Sequence, residues 1–239
     1  MPKKPSHPPE AYQQRDAAIL RHVAAYRLAL IESVSQVIGI GANLGHIVRR
    51  LADDGLLELF SRKLPGGVSY AQLTERGAQR IGVPRHRAIP LGNAALDPAL
   101  AVLTWSCLSS SRRYRIEAEE AAELLPGLEV SKNHAYCVSE EDGRATLSRV
   151  IPVHGGNREV VQTLEQNVAK VTGEVERALH AKQFQFVFLT DTEQKAKSLA
   201  AAIERSRVLA ADSVRVATAA TSPTIATYLR EFKKGHVQK

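Results

Sequence analysis

Apolar residues recur at helical spacing from the start of the patterned chain. Ala17, Leu20, Val23 and Ala24 define one face of a helix over Glu10 to Tyr26, and Ile31, Val34, Val37 and Ile38 define a second, shorter helix. Gly39 and Gly41 then mark a turn. From Ala42 to Asp53, Leu44, Ile47, Val48 and Leu51 share one face, while Asn43, His46, Arg49 and Arg50 occupy the other. Gly55 supplies a left-handed end for this third helix. The period then changes from helix to strand. Leu56 to Phe60 reads as a strand, SRKLPGG as a turn carrying Arg62 and Lys63, and Val68 to Leu73 as the returning strand. Thr74 caps a short helix over the ERGAQR segment.

The order helix, helix, turn, helix, strand, basic turn, strand, helix is that of a winged helix-turn-helix over residues 10–82. A small helical domain with an incidental hairpin has the same order. Two basic elements favour the winged helix. A third helix that stands proud of its domain can enter a major groove, and Asn43, His46, Arg49 and Arg50 lie on it. Either arginine can pair bidentately with guanine, and Asn43 can pair with adenine. Arg62 and Lys63 on the wing suit phosphate or minor-groove contact, which positions without specifying.

Residues 83–98 contain three prolines and no periodicity, and read as a linker in which His86 sits between Arg85 and Arg87. Asp97-Pro98 then reads as the start of an apolar helix reaching Leu108. A strand near Arg113, an acidic helical stretch to Leu125, and a hairpin over His134–Ser139 and Ala145–Val153 follow. Asn157 is the expected cap of a long helix to about Lys182. FQFVFLT at 184–190 is the clearest buried strand, with a helix, a strand at Val214–Ala217 and a last helix beyond it. This predicts a second domain over residues 99–235, with a mixed α/β sheet covered by helices.

Charge divides along the same line. The net charge is +7. Residues 1–92 hold 13 Lys/Arg against 7 Asp/Glu, whereas residues 93–239 hold 19 against 18. A basic module beside a near-neutral one points to a polyanion met by the first part. Two cysteines, Cys107 and Cys137, exclude a disulfide framework, and no run of about 18 apolar residues offers a membrane span. The first ten residues hold Lys3 and Lys4 with no apolar run behind them, so a cytoplasmic, nucleoid- or plasmid-associated protein without a signal peptide is expected.

Motifs of catalysis and cofactor binding do not emerge. The chain has no G-x-G-x-x-G, no phosphate loop and no G-x-S-x-G elbow. His134 and Cys137 form one H-x-x-C without a second pair at zinc spacing. No cofactor, metal or catalytic residue is assigned.

Three segments carry a family likeness: LADDGLLE at 51–58, SYAQLTERGAQRIG at 69–82 and FVFLTDTEQKAKSLAAAIER at 186–205. With them the chain resembles the replication-relaxation family of plasmid and mobile-element proteins, some of which resemble mobilisation relaxases. The resemblance implies a winged helix joined to a domain similar to restriction endonucleases. A nuclease of that fold holds a divalent metal on carboxylates of the hairpin. Here Asn133 stands where the first acid is expected, and Ala145 to Val153 contains no Asp or Glu. Glu140, Glu141 and Asp142 fall in the turn. The expectation is a nuclease-like domain without its metal site, serving dimerisation or partner contacts. The protein is then a sequence-specific binder of double-stranded DNA, a homodimer that regulates or assists plasmid or mobile-element transfer or maintenance, with transfer or replication proteins as further partners. The alternative is a DNA-nicking relaxase or endonuclease acting through Tyr114, Tyr136 or His154.

Overall fold

A computed structural model describes residues 10–39, 43–109, 111, 113–131, 134–141, 143–209 and 213–237. The chain is an α/β protein: N-terminal helices with a β-hairpin, then a five-stranded mixed sheet interleaved with helices. It divides into two compact units, with the boundary between Leu91 and Gly92.

The first unit contains α1 (Glu10–Tyr26), α2 (Ile31–Ile38), α3 (Leu44–Asp53), β1 (Leu57–Leu64), β2 (Val68–Leu73) and α4 (Glu75–Ile81). The apolar faces read from the sequence meet in one core. Ile19, Leu20 and Val23 of α1 pack with Val34 of α2, Ile47, Val48 and Leu51 of α3, and Leu57, Ala71 and Leu73 of the hairpin. Ala29, between α1 and α2, exchanges both backbone hydrogen bonds with Ala71 at 2.9 Å, adding a one-residue bridge beside the hairpin.

The junction of α3, β1 and α4 is tightly built. Gly55 takes a φ of 71° after the α3 C-cap, and Leu56 N donates to Leu51 O at 2.9 Å, closing a Schellman motif. Thr74 Oγ1 accepts the Gly77 amide at 3.0 Å as the α4 cap and donates to Gly55 O at 2.7 Å. Gly77 is required here for space, because a Cβ at this position would lie 2.2 Å from Leu56 O.

Residues 83–91 do not form the expected linker. Arg85–Ala88 is a turn of 3₁₀ helix, Val83 and Ala88 pack on the first core, and Leu91 N donates to Gln72 Oε1 at 3.3 Å. The next helix, α5, begins at Asn93 and runs to Cys107, so Asp97 and Pro98 lie inside it rather than starting it. Asp97 Oδ1 instead accepts the Ser222 amide at 2.7 Å, a partner 125 residues away.

In the second unit, α5 is followed by β3 (Arg113–Ile116), α6 (Ala118–Leu124), β4 (Ala135–Glu141), β5 (Arg144–Pro152), α7 (Asn157–Val168), α8 (Gly173–His180), β6 (Phe184–Thr190), α9 (Glu193–Ser206), β7 (Val214–Thr218) and α10 (Ile225–Val237). Strand order equals chain order. The pairs β3/β4 and β4/β5 are antiparallel, and β5/β6 and β6/β7 are parallel. The long helix expected from Asn157 to Lys182 is two helices. α7 ends at Val168 with Ala169 as its C-cap, and α8 starts after an extended Thr172 at Gly173, whose φ is 58°; Gly156, not Asn157, is the α7 N-cap. On one sheet face, Tyr136, Leu147, Phe184, Phe186 and Phe188 pack against Leu164, Val175, Leu179, Leu199 and Ile203. Cys137 faces the other way, where Ser106 of α5 meets its sulfur at 3.4 Å.

Candidate nucleic-acid interface

The third helix presents its two faces as its sequence dictates. Ile47, Val48 and Leu51 are buried, and His46 and Arg49 are exposed on the opposite side. Asn43 is spent locally: its side chain accepts the His46 amide at 3.3 Å and caps the helix. Ala42, the expected first residue, lies outside the described residues.

Arg50 is placed differently from Arg49. Its Nη2 lies 2.7 and 2.8 Å from the two carboxylate oxygens of Asp16 on α1, and Nη1 lies 3.4 Å from Asp54. The hydrogen bond to Asp16 raises the Arg50 pKa above its already high value. Arg50 thus ties the helix to the domain, and the exposed cation of the outer face is Arg49. No local pattern announces this, since Asp16 is 34 residues away.

The wing is longer in strand and shorter in turn than the sequence suggests. β1 continues through Lys63 to Leu64, and Pro65–Gly67 alone makes the turn, with Gly66 and Gly67 at φ of 71° and 72°. Arg62 and Lys63 therefore sit on the strand, not in the turn. They fall where the register shifts, between the pairs Phe60/Tyr70 and Leu64/Val68. Arg62 takes a φ of 53° there, its amide donating to Ser69 Oγ at 2.9 Å. Such a bulge leaves residues unpaired and re-aims their side chains. Both Arg62 and Lys63 are exposed. Phe60 and Tyr70, stacked at 4.7 Å, brace the strands just before the bulge.

Deeper in this unit, His22 is enclosed between α1 and α2. Its Nε2 lies 3.0 Å from Ser33 Oγ, its ring leans on Tyr26, and burial lowers its pKa to about 4. It is neutral near pH 7 and half-buried.

The residues of the alternative reading are scattered in role. Tyr136 is 1% exposed, and its hydroxyl accepts the Ser131 amide at 3.1 Å. Tyr114 is exposed on the edge strand β3, and His154 is exposed in the loop after β5. Asn133 lies outside the described residues. Opposite Tyr136 on β5, Arg149 is 5% exposed and donates to Asn167 Oδ1 at 2.8 Å and to the Glu129 carbonyl. Among the described residues, no three His, Cys, Asp or Glu side chains gather closely enough to hold a metal ion. No described helix is long and apolar enough to cross a membrane.

The chain matches no family model, and no curated protein or solved structure is detectably similar to it.

Proposed function

We propose that the protein is a non-catalytic, sequence-specific binder of double-stranded DNA, with a winged helix-turn-helix as its reading module. The observation that carries this is the pairing of two exposed basic elements on one small unit. They are the outer face of α3 with His46 and Arg49, and the bulge of β1 with Arg62 and Lys63. A helix with an exposed Arg49 and a flank buttressed through Arg50 suits a major groove, and a bulged basic hairpin suits the adjacent phosphates. The excess positive charge of residues 1–92 supplies the sequence-independent part of the attraction.

The order of the second unit, α5, β3, α6, the antiparallel pair β4/β5, α7 and α8, then β6, α9 and β7 with β5, β6 and β7 parallel, supports a restriction-endonuclease-like fold. β5 carries no Asp or Glu, which supports a nuclease-like domain without a two-carboxylate metal site. Together with the sequence resemblance to replication-relaxation proteins, this gives a regulator or accessory factor of plasmid or mobile-element transfer or maintenance. It acts as a homodimer on an inverted repeat, because one winged helix reads few base pairs. Incubating the protein with supercoiled plasmid and Mg²⁺ or Mn²⁺ tests the proposal. A gel shift without relaxation is expected, and relaxed or linear product overturns the non-catalytic assignment.

A further inference from the structure

The five-stranded sheet ends on two strands that each have a neighbour on one side only, β3 and β7. What such an edge can pair with depends on where its backbone groups point and on which side chains it sets against a second strand.

The β7 edge is open. Along a strand, the N–H and C=O of one residue point to the same side, and those of the next residue point to the other. Ala219, which continues β7, donates its N–H to Thr190 O of β6 at 2.8 Å, and Ala217 O lies 3.5 Å from Thr190 Oγ1. Leu189 O, one residue earlier on β6, turns the other way and accepts Val153 N, just past β5, at 2.9 Å. Arg215, Ala217 and Ala219 therefore direct their backbone groups at β6. Val214, Val216 and Thr218 direct theirs outward, and among the described residues no hydrogen bond takes them up. Arg215 and Thr218 are exposed, and Val214 and Val216 are half-buried. The register with β6 is regular along the whole strand, which has no proline, lysine or bulge, the devices that blunt an edge.

The β3 edge is guarded against its own copy. Arg113 and Arg115 alternate along it and so share a face. A two-fold axis perpendicular to a sheet keeps each face on its own side, so a residue can only stand opposite residues of its own face. Any such register that overlaps most of β3 sets arginine opposite arginine, which is destabilising.

On β7 the same rule gives the opposite result. With Val216 opposite its own counterpart, Val214 meets Thr218 and Arg215 meets Ala217, so the whole strand pairs and no like charges meet. The pairs Val216/Val216 and Val214/Thr218 are those whose N–H and C=O point outward, so each exchanges both of its hydrogen bonds. Val214 and Val216 pack at the margin of the sheet's aromatic core, and the valines of a second copy extend that apolar surface.

We propose that the β7 edge is the dimer interface. Two copies pair antiparallel along it about a two-fold axis, which joins their two sheets into one. This rests on the homodimer reading given above and names the surface that makes the dimer.

Light scattering of the full chain without DNA, over about 1–200 μM, tests it, because pairing along one short strand is a weak and concentration-dependent association. Twice the chain mass is expected at the upper end of the range. Val216→Pro removes an outward N–H and no bond to β6, so circular dichroism should show the fold kept while the dimer dissociation constant rises at least about tenfold. Cross-linking decides the matter if the proline variant unfolds. In a Cys107→Ser background, Arg215→Cys with Ala217→Cys places thiols on a close pair across the interface, and mild oxidation should give a reducible dimer on a denaturing gel. Tyr114→Cys, on the other edge, should give none. A chain that stays monomeric throughout overturns the homodimer reading and this surface together. A dimer that survives a folded Val216→Pro, or that cross-links through Tyr114→Cys and not through positions 215 and 217, overturns the surface alone.

Discussion

Arg50 and Asp16 are joined by the guanidinium Nη2, which bridges both carboxylate oxygens at 2.7 and 2.8 Å and fastens α3 to α1. Arg49, one residue earlier, extends from the same helix into solvent. Adjacent arginines that look equivalent in sequence therefore have separable roles. Arg50→Ala should lower stability by about 1 kcal/mol, the upper end for a partly exposed pair. Arg49→Ala should leave stability within about 0.5 kcal/mol, as expected for an exposed site. Urea denaturation of the two variants checks this, and an unchanged Arg50→Ala midpoint would remove the buttress from the account.

The bulge in β1 exchanges local comfort for placement of a cation. A left-handed φ costs a non-glycine residue about 1–2 kcal/mol, so Arg62→Gly should keep or raise the melting temperature. The same substitution should weaken binding to every DNA sequence by a similar factor and lower the salt slope of log K by about 1. Loss of stability in Arg62→Gly, with unchanged DNA affinity, would show that the bulge serves folding alone.

His22 ties stability of the first unit to pH. Burial holds its pKa at about 4 in the folded protein, below its ordinary value of 6.5. The unfolded chain therefore binds a proton that the folded one refuses between these values. Its contribution is complete above pH 6.5 and is lost as the pH falls toward 4, by at most about 3 kcal/mol. Melting curves from pH 7 to pH 4.5 should show falling stability, and His22→Gln should flatten that part of the profile. An equal slope in both proteins would contradict the assignment.

The first helices were the most legible part of the chain, because single apolar faces at period 3.6 need no distant information. The ends of α1, α2, β2 and β6 follow from such faces and runs alone. The start of α5 was not legible: Asp97-Pro98 has the composition of a helix start, and the residue that claims Asp97 is Ser222. The split between α7 and α8 was signalled only by Val171-Thr172-Gly173, within a stretch whose apolar spacing otherwise continues. In the candidate interface, residue types and faces were readable, but the division of labour between Arg49 and Arg50 was not. Neither was the bulge at Arg62, which depends on Ser69 across the hairpin.

Gly77 is the tightest point of the helix–hairpin junction. An alanine there would press on the Leu56 carbonyl and on Leu73 Cδ1, at 2.2 and 2.8 Å. Backbone cannot yield as a side-chain tip does, so Gly77→Ala should cost about 2 kcal/mol or more. The loss should appear as a lower denaturation midpoint for the first unit.

Reading of DNA by the outer face of α3 is the central claim, and selection from a random duplex pool tests it most directly. The full chain should enrich one motif. Arg49→Ala should then cost about 1–3 kcal/mol on that motif and far less on a scrambled duplex, while Lys63→Ala weakens both alike. Failure to enrich any motif, or equal losses on both duplexes for Arg49→Ala, would contradict the account.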